Sequence, residues 1–259
     1  IEFSFYNIDI DSSTLVDLTH SSVKKQQYYN FDTCAKLTQF IRRIEPKGIT
    51  VSVGGEIGEV GHKNSTPLEL RVFMDGFKER LRKGLVGISK ISVQTGTSHG
   101  GVVLPDGTIA QVALDFDTLK TLSEIARKEF GLAGAVQHGA STLPAEAFHK
   151  FSECETAEVH LATEFQNMIY DSQHFPHELK EKIYAWLKVN AAPERKEGET
   201  DEQFFYKTRK KALGPFKREI MGLADSARDA IAGEIEKKFE FLFKQLNMIN
   251  KKELVDKYV

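Results

Sequence analysis

Short strand-like runs recur along the first half of the chain at a near-constant interval, and that interval limits the fold more than any other feature. They span residues 5–11, 49–53, 88–93 and 132–136, and a fifth run follows at 156–161. The first four start roughly 40 residues apart, too far for hairpins and suited to a strand, a crossover helix and two loops. Helical patterns fill the gaps. Residues 30–44 repeat Cys34, Leu37, Phe40, Ile41 and Ile44 at helical spacing, and 67–82 do so with Leu70, Phe73, Met74, Phe77 and Leu81. Thr66, Pro67 and Glu69 form a helix-start signal: N-cap, first-turn proline and capping-box glutamate. Residues 115–130 and 144–151 supply two more helices, and 101–114 read as a loop with a hairpin at 105–108. Strands alternating with helices predict an α/β fold around a parallel sheet. Beyond residue 164 the pattern is helical throughout, interrupted near 192–199, with a long amphipathic stretch at 224–246.

Composition narrows the partners. The chain has 259 residues, 41% hydrophobic and 28% charged, with a formal net charge of −2. That charge gives no general attraction to nucleic acid or an anionic membrane. No apolar run approaches the length of a membrane span, and no signal peptide is visible. Two cysteines, Cys34 and Cys154, make neither a disulfide framework nor a metal spacing, which predicts free thiols in a reducing, cytoplasmic setting.

In parallel α/β folds, chemistry collects where strands end. The run at 49 leads into Gly54-Gly55-Glu56-Ile57-Gly58, the run at 88 into Gly96-Thr97-Ser98-His99-Gly100, and the run at 132 into Gln137-His138-Gly139-Ala140-Ser141-Thr142. Three consecutive strand ends therefore carry Glu56, His99 and His138, each beside glycine. Two imidazoles and a carboxylate suit a divalent metal, most simply Zn²⁺. Each residue alone has a plainer reading, as a hydrogen-bonded loop histidine or a surface carboxylate. Residues 139–142 ahead of a helix, and Ala162-Thr163 ahead of the next, are turns able to cradle a phosphate or merely cap the helices.

These pieces resemble the class II, metal-dependent fructose-bisphosphate and tagatose-bisphosphate aldolases. Glu56-Ile57-Gly58 is similar to the family's Glu-Leu-Gly after the fifth strand of a TIM (β/α)8 barrel. Gly96-Thr-Ser-His-Gly100 is similar to its Gly-Thr-Ser-His-Gly after the sixth, and His138-Gly139-Ala140-Ser141 resembles His-Gly-Gly-Ser after the seventh. Val159-His160-Leu-Ala162-Thr163-Glu164 resembles Asn-Val-Ala-Thr-Glu, with His160 where the family has Asn. Residues 7–13 resemble the Met-Ile-Asp-x-Ser of the fourth strand. The resemblance covers about residues 5–171 and 215–246. It implies a carbon–carbon lyase of carbohydrate metabolism that yields dihydroxyacetone phosphate from a ketose bisphosphate through a metal-stabilised enediolate. Zinc would sit on Glu56, His99 and His138, with a monovalent cation as a second candidate cofactor. Gly100, Gly139, Ser141, His160, Ala162 and Thr163 would hold the substrate phosphate, and Asp11, or Asp9 in a shifted alignment, would be the catalytic aspartate. A homo-oligomer, dimer or tetramer, is implied.

The chain departs from the family in three ways. Family barrels begin with three more strands, the third ending in an Asp-His that donates a proton and binds zinc; this reading expects those residues upstream of Ile1. His160 replaces an Asn that contacts substrate. Residues 172–214 form an insertion rich in aromatic and charged residues, either an oligomerisation element, a lid or a packed helical addition. The expected domains are thus 1–171, the latter part of the barrel; 172–214, the insertion; and 215–259, the closing helices. Two rivals stay open: a non-catalytic aldolase-like subunit, and a metal-dependent sugar-phosphate isomerase or epimerase.

Overall fold

The computed structural model describes residues 1–58, 63–96, 104–105 and 114–258. Within it the chain forms two compact units: Ile1–Thr97 with Ala113–Ala140 and Lys150–His160, and Ser98–Val112 with Ser141–His149 and Leu161–Val259.

The first unit is a five-stranded parallel sheet in the order β1 (Asn7–Ile10), β2 (Ser52–Glu56), β3 (Lys90–Val93), β4 (Ala135–Gln137) and β5 (Glu158–Val159). Each strand follows its neighbour in sequence, as successive βα units require. The helices are α1 (Val23–Gln26), α2 (Tyr28–Ile44), α3 (Pro67–Arg80), α4 (Phe116–Phe130) and the short α5 (His149–Glu153) at the unit boundary. The helix signals in the sequence are realised. Thr66 and Glu69 close a capping box on α3, and α4 runs from the Asp115 cap to Gly131, which takes the left-handed conformation at φ 70°. The expected helix at 144–151 is broken instead. A 3₁₀ turn at Ala145–Ala147, closed by Ala147 N–H donating to the Pro144 carbonyl at 2.9 Å, tightens its first half, so α5 begins only at His149.

The sheet has two unlike faces, because side chains alternate along a strand. Ile10, Val53, Ile91, Val93 and Ala135 are buried, together with Phe31 and Cys34 of α2, Phe73 and Phe77 of α3 and Leu119 and Leu122 of α4. Gly76 lets α2 and α3 meet: a Cβ there would lie 2.6 Å from the Phe31 ring. The opposite face carries Asn7 and Asp9 of β1, Ser52, Gly54 and Glu56 of β2, Lys90 and Ser92 of β3, and Glu158 of β5, as the strand register aligns them. This face is concave. In a flat sheet, β1 and β5 would stand about 19 Å apart, four strand spacings. Here Asn7 Nδ2 donates to Glu158 Oε1 at 3.3 Å. The unit is therefore a curled half-barrel, in line with the TIM-type reading of the sequence.

The second unit is helical: α6 (Thr163–Asp171), α7 (His177–Asn190), α8 (Asp201–Thr208), α9 (Lys217–Met221), α10 (Asp225–Gln245) and α11 (Lys252–Tyr258). Its core gathers Tyr170, Phe175, Ile183, Leu187, Phe204, Phe216 and Ile231. Arg209 is buried beside it, bidentate to Asp171 at 2.7 and 2.8 Å, with Tyr170 Oη donating to its carbonyl at 3.1 Å. No helix among the described residues is long and apolar enough to cross a membrane.

Candidate metal centre

The concave face of the half-barrel ends in a cluster of titratable side chains. Asp9 comes from β1, His138 directly follows β4, and His160 directly follows β5. One ligand atom from each lies within 4.8 Å of the others; Asp9 is exposed, and the two imidazoles are half-buried. The rings stack with centroids 4.6 Å apart and planes 27° apart.

Each member has a partner that orients it. His160 Nε2–H donates to Glu158 Oε2 at 2.9 Å and faces Asp9 Oδ2 at 3.5 Å. His138 Nε2 shares a hydrogen bond with Ser92 Oγ at 3.1 Å. Asp9 Oδ1 lies 3.3 Å from Lys90 Nζ. Lys90 is the buried hub, 1% exposed. Its ammonium donates to Glu158 Oε1 at 2.8 Å, to Ser52 Oγ at 3.3 Å and to Asn7 Oδ1. Burial pushes the Glu158 carboxyl up, but the hydrogen bonds from His160 and Lys90 outweigh it and hold it down at about 2. Gly54 makes room for this arrangement. A Cβ at that position would lie 2.2 Å from Asp9 Oδ1 and 3.0 Å from Lys90 Cε, whereas Gly55, one residue on, faces Phe73 and Cys34 of the helices.

The residues singled out in the sequence are distributed as follows. Glu56 is the last residue of β2 rather than the first after it, because the strand continues through Gly54 and Gly55. It is buried on the concave face, and its carbonyl accepts from Asn30 Nδ2 at 2.8 Å. His99 and Gly100, with residues 106–108 of the hairpin expected at 105–108, lie outside the described residues. Asp11 accepts from Ser13 N–H at 3.1 Å and Ser13 Oγ at 2.8 Å, a local turn after β1. Gly139 sits at φ 69°, which favours glycine. In the helical unit, Ser141 Oγ accepts from Ala162 N–H at 3.3 Å, and Thr163 opens α6.

Sequence reading did not single out Lys90, Glu158 or Ser92. The signal was there: Lys90, Ser92 and Gln94 alternate with Ile91 and Val93. Such alternation in a parallel strand, which is usually apolar on both sides, marks a polar inner face.

The donor set fits a metal. A carboxylate and two imidazoles suit Zn²⁺ and its first-row neighbours. Among the described residues, the concave face holds the carboxylates Asp9, Glu56 and Glu158 against the one ammonium of Lys90.

The family described as fructose-bisphosphate aldolase class-II matches the chain over residues 9–245. No curated protein matches it in sequence. Among solved structures, it is similar to a probable tagatose 6 phosphate kinase from Sinorhizobium meliloti 1021, at 15% identity and a TM-score of 0.56, covering 94% of this chain and 61% of that one. It is also similar to the fructose-bisphosphate aldolase of Campylobacter jejuni, at 17% identity and a TM-score of 0.49, covering 95% of this chain and 60% of that one. The chain thus spans about three-fifths of the length of these structures. At such identities the first likeness speaks for the fold alone.

Proposed function

The chain belongs to the class II fructose-bisphosphate aldolase family, and from that membership we propose that it is a divalent-metal-dependent, zinc-using aldolase acting on a phosphorylated ketose. The reaction makes or breaks the carbon–carbon bond that separates dihydroxyacetone phosphate from an aldehyde. The observation that carries the proposal is the donor set on the concave face: Asp9, His138 and His160 with ligand atoms within 4.8 Å of one another, at the strand ends of a half-barrel from this family.

When bound, a divalent ion supplies a Lewis acid for the negative charge that develops on the ketone oxygen. His138 holds it in every version of the proposal, and Glu56 and His99 are the further ligands that the family pattern assigns. Asp11, or Asp9 in a shifted alignment, is the catalytic-site aspartate beside the metal. Ser141, Ala162 and Thr163 take the phosphate through backbone N–H groups and hydroxyls at the start of α6. Lys90 bridges two carboxylates and is almost wholly buried, so it is not placed as an imine-forming amine.

Product analysis tests the reading. Zinc-loaded protein incubated with fructose or tagatose bisphosphate is expected to release dihydroxyacetone phosphate. An isomerised or epimerised sugar with no triose phosphate would contradict it and favour the isomerase class. Stoichiometric zinc with no turnover of any ketose bisphosphate would favour the non-catalytic subunit.

A further inference from the structure

We infer that Asp9 and His160 are themselves metal ligands, completing with His138 a set that the family pattern does not assign; this rests on the metal-dependent reading above. The family pattern makes position 160 a substrate-contacting Asn and Asp9, in a shifted alignment, a polar residue near the metal rather than a ligand. The geometry gives them another role. Their ligand atoms and that of His138 lie within 4.8 Å of one another. Edges of a tetrahedral zinc site are about 3.4 Å, roughly 1.5 Å or less from this spacing.

The supporting contacts have the pattern of a ligand set. Glu158 accepts from Nε2 of His160, which turns Nδ1 of the same ring to the role of donor atom. A carboxylate on the far ring nitrogen is how metal-binding histidines are commonly held. Lys90 takes Oδ1 of Asp9, while Oδ2 points toward His160. Ser92 fixes the His138 ring from β3.

The test is Co²⁺ binding, followed by ligand-field absorption and calorimetry, on the full chain. The wild type is expected to bind one Co²⁺ at this site, and Asp9→Asn and His160→Asn to lose at least tenfold in affinity each. Glu158→Gln is expected to lose roughly 10- to 100-fold as the orienting partner. Circular dichroism confirms that each variant is folded. His160→Cys provides a separate readout: it restores binding and adds a thiolate-to-cobalt charge-transfer band, which a merely structural residue would not produce. Wild-type affinity in either Asn variant, or a Cys variant that binds without that band, overturns the inference. If Glu56→Gln alone abolishes binding, the metal-dependent reading still stands. If the wild type binds no Co²⁺, both fall.

Discussion

A single methyl group at position 54 would lie 2.2 Å from Asp9 Oδ1, closer than any real contact, and 3.0 Å from Lys90 Cε. Glycine in a strand interior normally costs stability; here it is the room in which a carboxylate and a buried ammonium meet. Gly54→Ala is therefore predicted to displace Asp9, which is exposed and able to swing outward, while the half-barrel stays folded. Zinc affinity is expected to fall at least tenfold in a competitive titration, and an unchanged affinity would contradict this placement of Asp9. The thiols make a second residue-scale prediction. Burial pushes Cys34 up to about 12, and burial also raises Cys154. Neither should react with a disulfide reagent near pH 8 in the folded protein, and both should react after denaturation. His138 was visible in the sequence because it directly follows an apolar run beside glycine. Lys90 and Glu158 were not, since they are 68 residues apart and meet only when the sheet curls.

At the scale of elements, capping signals were the most legible part of the sequence, because a cap is local chemistry: Thr66, Pro67 and Glu69 lie within one turn. Thr66→Ala should cost about 1 kcal/mol of stability. Gly76 was not legible, because its reason lies on another helix. In an exposed helix, Gly→Ala gains up to about 1 kcal/mol. At position 76 the new Cβ would lie 2.6 Å from carbons of Phe31, a rigid ring that is 1% exposed and has nowhere to go. Overpacking of that kind costs about 1–3 kcal/mol, so it wins, and Gly76→Ala is predicted to lower the urea midpoint; a raised midpoint would contradict the α2–α3 packing. In the helical unit, burial raises the Asp171 carboxyl, but the paired hydrogen bonds from Arg209 outweigh it and bring it below its ordinary value of 3.8. A lowered acid contributes its stability in full above that ordinary value and loses it as pH falls through the folded value. The wild-type unfolding free energy should therefore drop more steeply than that of Asp171→Asn between about pH 5 and pH 2. Parallel slopes would show that the pair contributes nothing.

Across the whole molecule, the α/β class and the run of helices after residue 164 followed from period alone, and the parallel five-stranded order agrees with both. The curl did not follow from period. It shows only in contacts between the first and last strands, such as Asn7 with Glu158, 151 residues apart. The same curl brings ligand atoms of Asp9, His138 and His160 within 4.8 Å of one another, and that donor set is the physical reason for the central claim of metal-dependent aldol chemistry. The most direct measurement is release of dihydroxyacetone phosphate from a ketose bisphosphate before chelation, after exhaustive chelation verified by metal analysis, and after Zn²⁺ is returned. The account predicts release by the zinc-loaded protein, its loss in step with the metal and its recovery on reconstitution. Full cleavage by verified metal-free protein would contradict it.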